Sequence, residues 1–228
     1  MTSGARGIVI AIDGPSASGK SSTAAAVARE LGALHLDSGA LYRALTALAL
    51  EPELADPAAL LRGAEARGLE LREAGGALVP FLAGRDAEPL LRSAPVNARV
   101  SEVSAWPQVR EWVNARLRGA AAAARVLVLD GRDIGTAVFP DAPVKVFLTA
   151  TPEARARRRL LQRGDAPDAG QVAREAALLA ERDAKDSARA VAPLRRAADA
   201  GLLDTTELDF AAQVGEIVRL SRRRLPEL

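Results

Sequence analysis

Three of the 31 basic residues in this chain are lysine, and one of them, Lys20, closes a run of small residues, GPSASGKSS. Gly14, Gly19, Lys20 and Ser21 fit the spacing G-x-x-x-x-G-K-[ST], just after the apolar run at residues 8–12. Glycines let such a backbone curl until several amide N–H groups point inward, and a helix starting at Lys20 adds partial positive charge. The loop made by Gly14, Pro15, Ser16, Ala17, Ser18, Gly19, Lys20, Ser21 and Ser22 is therefore shaped for a phosphate chain. Lysine brings a compact charge where the planar fork of arginine would not fit. The hydroxyl of Ser21, or of Ser22 beside it, can reach Mg²⁺. A glycine-rich turn that binds nothing would need neither the strand before it nor the helix after it.

A phosphate loop alone does not separate kinase, hydrolase and switch. In VLVLDGRDIG, Asp130 ends an apolar run where its carboxylate could hold a water on Mg²⁺, and Arg132 and Asp133 follow on the loop. A strand-ending turn with a surface ion pair would look similar. TPEARARRRLLQR sets Arg155, Arg158 and Arg159 at helical i, i+3 and i+4 spacing, a set that suits an anion such as a triphosphate. The same stretch also suits a solvated basic face. ERDAKDSARAVAPL puts Arg182, Asp186 and Arg189 on one stripe with Glu181 and Lys185 beside it, which intrahelical salt bridges alone would explain equally well.

These residues need elements to hold them. Residues 8–12 read as a buried strand, 20–31 as an alanine-rich helix, and 33–37 as a second strand before a helix over 40–50. VLVLD (126–130) and VKVFL (144–148) have the unbroken apolar character of strands covered on both faces, and GLLDTT supplies a last one. The expectation is an α/β fold: a three-layer P-loop architecture whose central, parallel, five-stranded sheet is flanked by helices. Between 56 and 104 the pattern changes to a short helix followed by small turn-bounded pieces, LELRE, ALVPFLAG and AEPLL. These suggest an antiparallel inserted subdomain. Residues 1–55 and 105–228 then form the core, and a loop is expected at 163–170.

Composition excludes several chemistries. The chain of 228 residues has no cysteine and one histidine, His35, so thiol catalysis, disulfides and Cys/His metal clusters are ruled out. A formal charge of +2 is too mild for wrapping nucleic acid. MTSGARGIVIAIDG lacks the features of a signal peptide, and no apolar run reaches the roughly 18 residues of a membrane span. A cytoplasmic protein is expected.

In this order, IAIDGPSASGKSS, LDSGALYRA, DGRDIGTAVFPDAPVKVFLTA and RDAKDSARAVAPL resemble the bacterial cytidylate kinases, a family of nucleoside monophosphate kinases. The resemblance spans nearly the whole chain, and its insertion matches that family's enlarged monophosphate-binding region. It implies transfer of the γ-phosphoryl group of ATP to CMP or dCMP with Mg²⁺, by a monomer acting on small molecules. It also implies roles. Lys20 would hold ATP phosphates, and Asp37, Ser38 and Arg43 would lie at the monophosphate site with Arg43 on its phosphate. Ser101, Arg110 and Arg189 would recognise cytosine. Arg132, Asp133 and Arg182 would serve the phosphate and base, and Asp186 the sugar. Arg155, Arg158 and Arg159 would belong to a short mobile lid at 155–170. Two rivals stay open, a P-loop kinase with another acceptor and a nucleotide-dependent switch without turnover.

Overall fold

The computed structural model describes residues 7–228; the N-terminal reading over residues 1–6 lies outside the described residues. In chain order the elements are β1 (Ile8–Asp13), α1 (Lys20–Leu31), β2 (Leu34–Asp37), α2 (Ser38–Leu48), a 3₁₀ turn (Pro52–Leu54) and α3 (Pro57–Ala66). There follow β3 (Glu70–Ala74), β4 (Ala77–Leu82), β5 (Arg85–Asp86), α4 (Glu88–Leu91), α5 (Ala94–Val103) and α6 (Pro107–Ala123). The chain ends with β6 (Val126–Gly131), a π-helical turn (Ile134–Val138), β7 (Val144–Thr149), α7 (Pro152–Gln162), α8 (Ala169–Ser187), β8 (Gly201–Asp204) and α9 (Phe210–Arg224). It is an α/β fold with a mostly parallel sheet and flanking helices, and all five strands expected for the core are present.

The chain divides into two compact units. One combines residues 9–32 with 128–228. Its strands run β6-β1-β7-β8, and β7 pairs in parallel with β1 (Ile10 opposite Val144) and with β8 (Val146 opposite Gly201). Ile10, Ile12, Val144 and Leu148 are fully buried, which is why these segments read as unbroken apolar runs rather than alternating ones. α1 packs against α9, and α7 against α8 through Ala156, Leu160, Val172, Ala176 and Leu179. α8 opens with a reciprocal cap: the Asp168 carboxylate accepts from the Gln171 N–H, and the Gln171 side chain accepts from the Asp168 N–H. The expected loop at 163–170 therefore gives way to helix from Ala169 onward.

The other unit is built on residues 33–127, and so takes in β2, α2 and α6 as well as the stretch 56–104. β3 and β4 pair antiparallel through the two-residue turn Gly75-Gly76, where both residues have positive φ (59° and 79°), as a tight hairpin requires. β4 also pairs in parallel with β2, His35 opposite Ala77, so the hairpin extends a sheet rather than standing apart. The antiparallel reading fails after β5. AEPLL and the following residues form helices α4 and α5, whose prolines, Pro89 and Pro95, lie in the first turn. A first-turn proline gives up no helical hydrogen bond, so it begins a helix where it would break a strand. Leu41 and Leu45 of α2, Val100 and Val103 of α5, and Leu60 of α3 fill this unit's interior. Among the described residues no helix is long and apolar enough to cross a membrane.

Candidate active site

Residues 14–22, which the sequence suggests as a phosphate cradle, span the loop after β1 and the first turn of α1. Gly14 has no room for a side chain, since a Cβ there would lie 2.1 Å from the Leu148 carbonyl oxygen on β7. Gly19 sits at φ 87° as the N-cap of α1, and Ala17 is held at φ 58°, a conformation uncommon for a residue with a Cβ. Lys20 is 6% exposed and donates to the Pro15 carbonyl (2.8 Å), with the Ser18 hydroxyl 3.5 Å away, so its ammonium lies over its own loop. The Ser21 hydroxyl donates to Asp130 Oδ2 (2.6 Å), while Ser22 is exposed. This geometry distinguishes two serines that the sequence leaves equivalent. One hydroxyl and one buried carboxylate are hard oxygen donors, and such a pair fits Mg²⁺ when phosphates and water complete the shell.

Asp13, the last residue of β1, carries no signal in the sequence, yet it anchors the loop after β6. Its carboxylate accepts from the Ile134 N–H (2.9 Å) and the Gly135 N–H (2.8 Å), the first amides of the π-helical turn. Burial raises its pKa from the ordinary carboxylate value to about 6. The two amides and Lys20 oppose that rise, and the Asp133 charge adds to it. Gly135 is hemmed in by the Lys145 stem, 3.1 Å from where its Cβ would be, and Lys145 itself is paired with Asp199 (2.7 Å). Arg132 and the buried Asp133 are thereby fixed on the segment entering this turn.

Arg132 donates to Asp186 Oδ2 (3.1 Å) and to the Ser16 hydroxyl (3.0 Å). Asp186, 2% exposed, takes Arg189 on its other oxygen (2.6 Å), so one buried carboxylate orients two guanidinium groups from opposite sides of the chain sequence. Arg182 lies one helical turn before Asp186 on α8, and Lys185 pairs with Glu181 at the surface (2.7 Å), as the stripe pattern suggests. The three arginines of α7 do not share an anion. Arg155 is buried and binds Asp183 and the Ser16 carbonyl (2.9 Å), Arg158 donates to the hydroxyl (2.9 Å) and carbonyl of Thr205, and Arg159 pairs with Glu175 (3.3 Å). Each has protein acceptors of its own, on α8, in the loop after β1 or after β8. Asp183, like Asp13, was not singled out from the sequence.

In the other unit, Asp37 caps α2 by accepting from the Gly39 N–H (2.8 Å), and Arg43 lies one turn on, 3.8 Å from the same carboxylate. At Gly39 the Arg43 guanidinium rests close to the α2 backbone, 2.7 Å from where a Cβ would stand. Ser38 is buried beside them. Arg110, 3% exposed, lies over the Tyr42 ring (5.5 Å) and donates to the Ser104 carbonyl (3.1 Å). The Ser104 hydroxyl in turn donates to the Ser101 carbonyl (3.3 Å). Asp37 ends β2 and caps α2, Ser38 and Arg43 lie on α2, Ser101 on α5 and Arg110 on α6.

A family model described as cytidylate kinase matches residues 10–223. A cytidylate kinase of Shouchella clausii is 43% identical over 221 residues, covering 95% of this chain and 96% of that protein. One of Nocardia farcinica is 42% identical (96% and 95% covered), and one of Chromobacterium violaceum is 44% identical (92% and 93% covered).

Proposed function

The chain belongs to the cytidylate kinase family, and on that premise we propose that it transfers the γ-phosphoryl group of ATP to CMP or dCMP, giving ADP and CDP or dCDP. The observation that carries this reading is the Ser21–Asp130 hydrogen bond beside Lys20. It joins the start of α1 to the end of β6, where a triphosphate loop and a metal-organising carboxylate belong together. The reaction is a step of pyrimidine nucleotide metabolism.

The acceptor phosphate is a phosphomonoester whose second pKa is roughly 6, so it is largely ionised at neutral pH and needs little help from a base. The barrier is the approach of two anions. Lys20 and the loop amides of residues 17–22 would bind the ATP phosphates, and Ser21, with Asp130 acting through water, would hold Mg²⁺. When bound, that ion supplies charge neutralisation on the phosphates. Arg132, fixed by Asp186 and Ser16, points a cation in a set direction before any substrate arrives, which is the preorganisation that electrostatic catalysis depends on. Arg43, beside Asp37 and Ser38, takes the acceptor phosphate. Ser101, whose hydroxyl can accept from the exocyclic amine, and Arg110 and Arg189, which donate to the ring carbonyl, read cytosine, with Arg182 and Asp133 alongside and Asp186 serving the sugar. Uracil presents a carbonyl acceptor where cytosine has its amine donor and leaves such groups unpaired, so UMP is the poorer acceptor. The segment at 155–170 closes on ATP and excludes water, carrying Arg158 and Arg159, while Arg155 stays on Asp183 and Ser16 at its base. The protein acts as a cytoplasmic monomer on small molecules.

A coupled ADP-release assay with ATP and Mg²⁺ against CMP, dCMP, UMP, AMP and GMP tests the proposal. Turnover concentrated in CMP and dCMP supports it. ADP release independent of any monophosphate refutes it.

A further inference from the structure

We propose that Asp183 is a positioning residue that sets the conformation of the phosphate loop; the inference rests on reading residues 14–22 as the ATP loop. Its argument starts at Ser16, which is 2% exposed and has every polar group of its own engaged by a side chain from elsewhere. The Ser16 N–H donates to Asp183 Oδ1 on α8 (2.8 Å), its carbonyl accepts from Arg155 on α7 (2.9 Å), and its hydroxyl accepts from Arg132 after β6 (3.0 Å). The Ser16 amide is therefore not one of those pointing inward at phosphate. It is the fixed end from which the following amides are aimed.

Asp183 makes this arrangement hold together. Its Oδ2 takes Arg155, so one carboxylate binds the loop amide and also orients the guanidinium that grips the neighbouring carbonyl. Arg155 is steadied by a further bond from Nε to the Ala150 carbonyl (3.2 Å). The next loop residue, Ala17, stands at φ 58° and packs against the apolar contact of α7 and α8. A left-handed alanine is strained and persists only where its surroundings impose it. The charge-assisted bonds at Ser16 are the restraint directly before it. Without the carboxylate, the Ser16 N–H is left buried and unpaired, Arg155 loses its counter-charge, and the peptide between Ser16 and Ala17 can rotate. The amides beyond it then lose their aim.

Aspartate suits the position because both of its oxygens accept. An asparagine keeps one acceptor but turns an NH₂ toward Arg155. The test uses Asp183→Asn and Asp183→Glu, with KM for ATP and for CMP measured separately and amide hydrogen exchange read at Ser16. In the unaltered protein the Ser16 amide should exchange at least about tenfold more slowly than the amide of the exposed Ala166. In Asp183→Asn that protection should fall by about tenfold or more, and KM for ATP should rise by about tenfold while KM for CMP stays within about twofold. Asp183→Glu, which keeps the charge, should recover part of both. A merely structural ion pair between α7 and α8 would lower the unfolding temperature without splitting the two KM values. Equal KM changes, or none, overturn the proposal, and so does fast Ser16 exchange in the unaltered protein, which requires no variant to fold. Absence of CMP-dependent ADP release in the unaltered protein would instead defeat the kinase reading and leave the exchange result standing by itself.

Discussion

Asp13→Asn should change how stability depends on pH, and the sign follows from burial. Asp13 has a folded-state pKa of about 6 against an ordinary 3.8, mainly because it is desolvated. Between those values the folded chain holds a proton that the unfolded chain has released, so acidification favours folding through this group. Its stabilising contribution is fully present below the unfolded value and is lost as pH rises through about 6. A difference of about 2 units corresponds to about 3 kcal/mol across the whole window, of which about 1 kcal/mol falls between roughly pH 7 and pH 5. Asparagine does not titrate. Urea unfolding of both proteins across that range isolates Asp13 together with its coupling to Asp133, because carboxylates that do not act on Asp13 cancel in the difference. The unaltered protein should gain about 1 kcal/mol on Asp13→Asn as pH falls to about 5. Parallel curves would refute the reasoning, since they would mean that the two amides and Lys20 outweigh desolvation and that Asp13 is ionised throughout.

Gly14→Ala should cost about 3 kcal/mol or more in a denaturant titration, because its Cβ must displace the Leu148 carbonyl of β7 rather than a flexible side chain. Ser21→Ala should lower kcat by at least about tenfold and raise the Mg²⁺ concentration needed for half-maximal rate, whereas Ser22→Ala should stay within about twofold; equal losses would remove the assignment of Ser21 to the metal. Arg189→Ala removes one of two cations from the buried Asp186 carboxylate, and steady-state kinetics should show KM for CMP rising by about tenfold with KM for ATP nearly unchanged.

What the sequence made legible follows from how far each signal reaches. β1, β6 and β7 announce themselves because burial on both faces demands unbroken apolar runs, and the phosphate loop because its backbone restricts residue type at each position. α4 and α5 were obscured by Pro89 and Pro95, which mean opposite things at a helix start and inside a strand. Asp13 and Asp183 were illegible for a different reason. The Asp13 bond to Ile134 spans 121 residues and the Asp183 bond to Ser16 spans 167, and nothing local to either carboxylate marks a distant amide as its partner.

The same limit applies to the arginines, and partner geometry resolves what spacing could not. Arg155, Arg158 and Arg159 form a tidy helical pattern, but their partners lie on α8 and the segment after β8, so the pattern reports three anchoring contacts. Their partners then separate roles. Arg155 is paired with Asp183 and grips the Ser16 carbonyl, whereas Arg132 and Arg189 are both oriented by the Asp186 carboxylate. An anion gains more from the second arrangement, because two cations are already aimed. Neutralising Arg132 should therefore slow phosphoryl transfer by raising the transition-state barrier. Neutralising Arg155 should act through Ser16 and appear first in KM for ATP. A kcat loss confined to the Arg155 variant, with Arg132→Met unaffected, would invert that assignment.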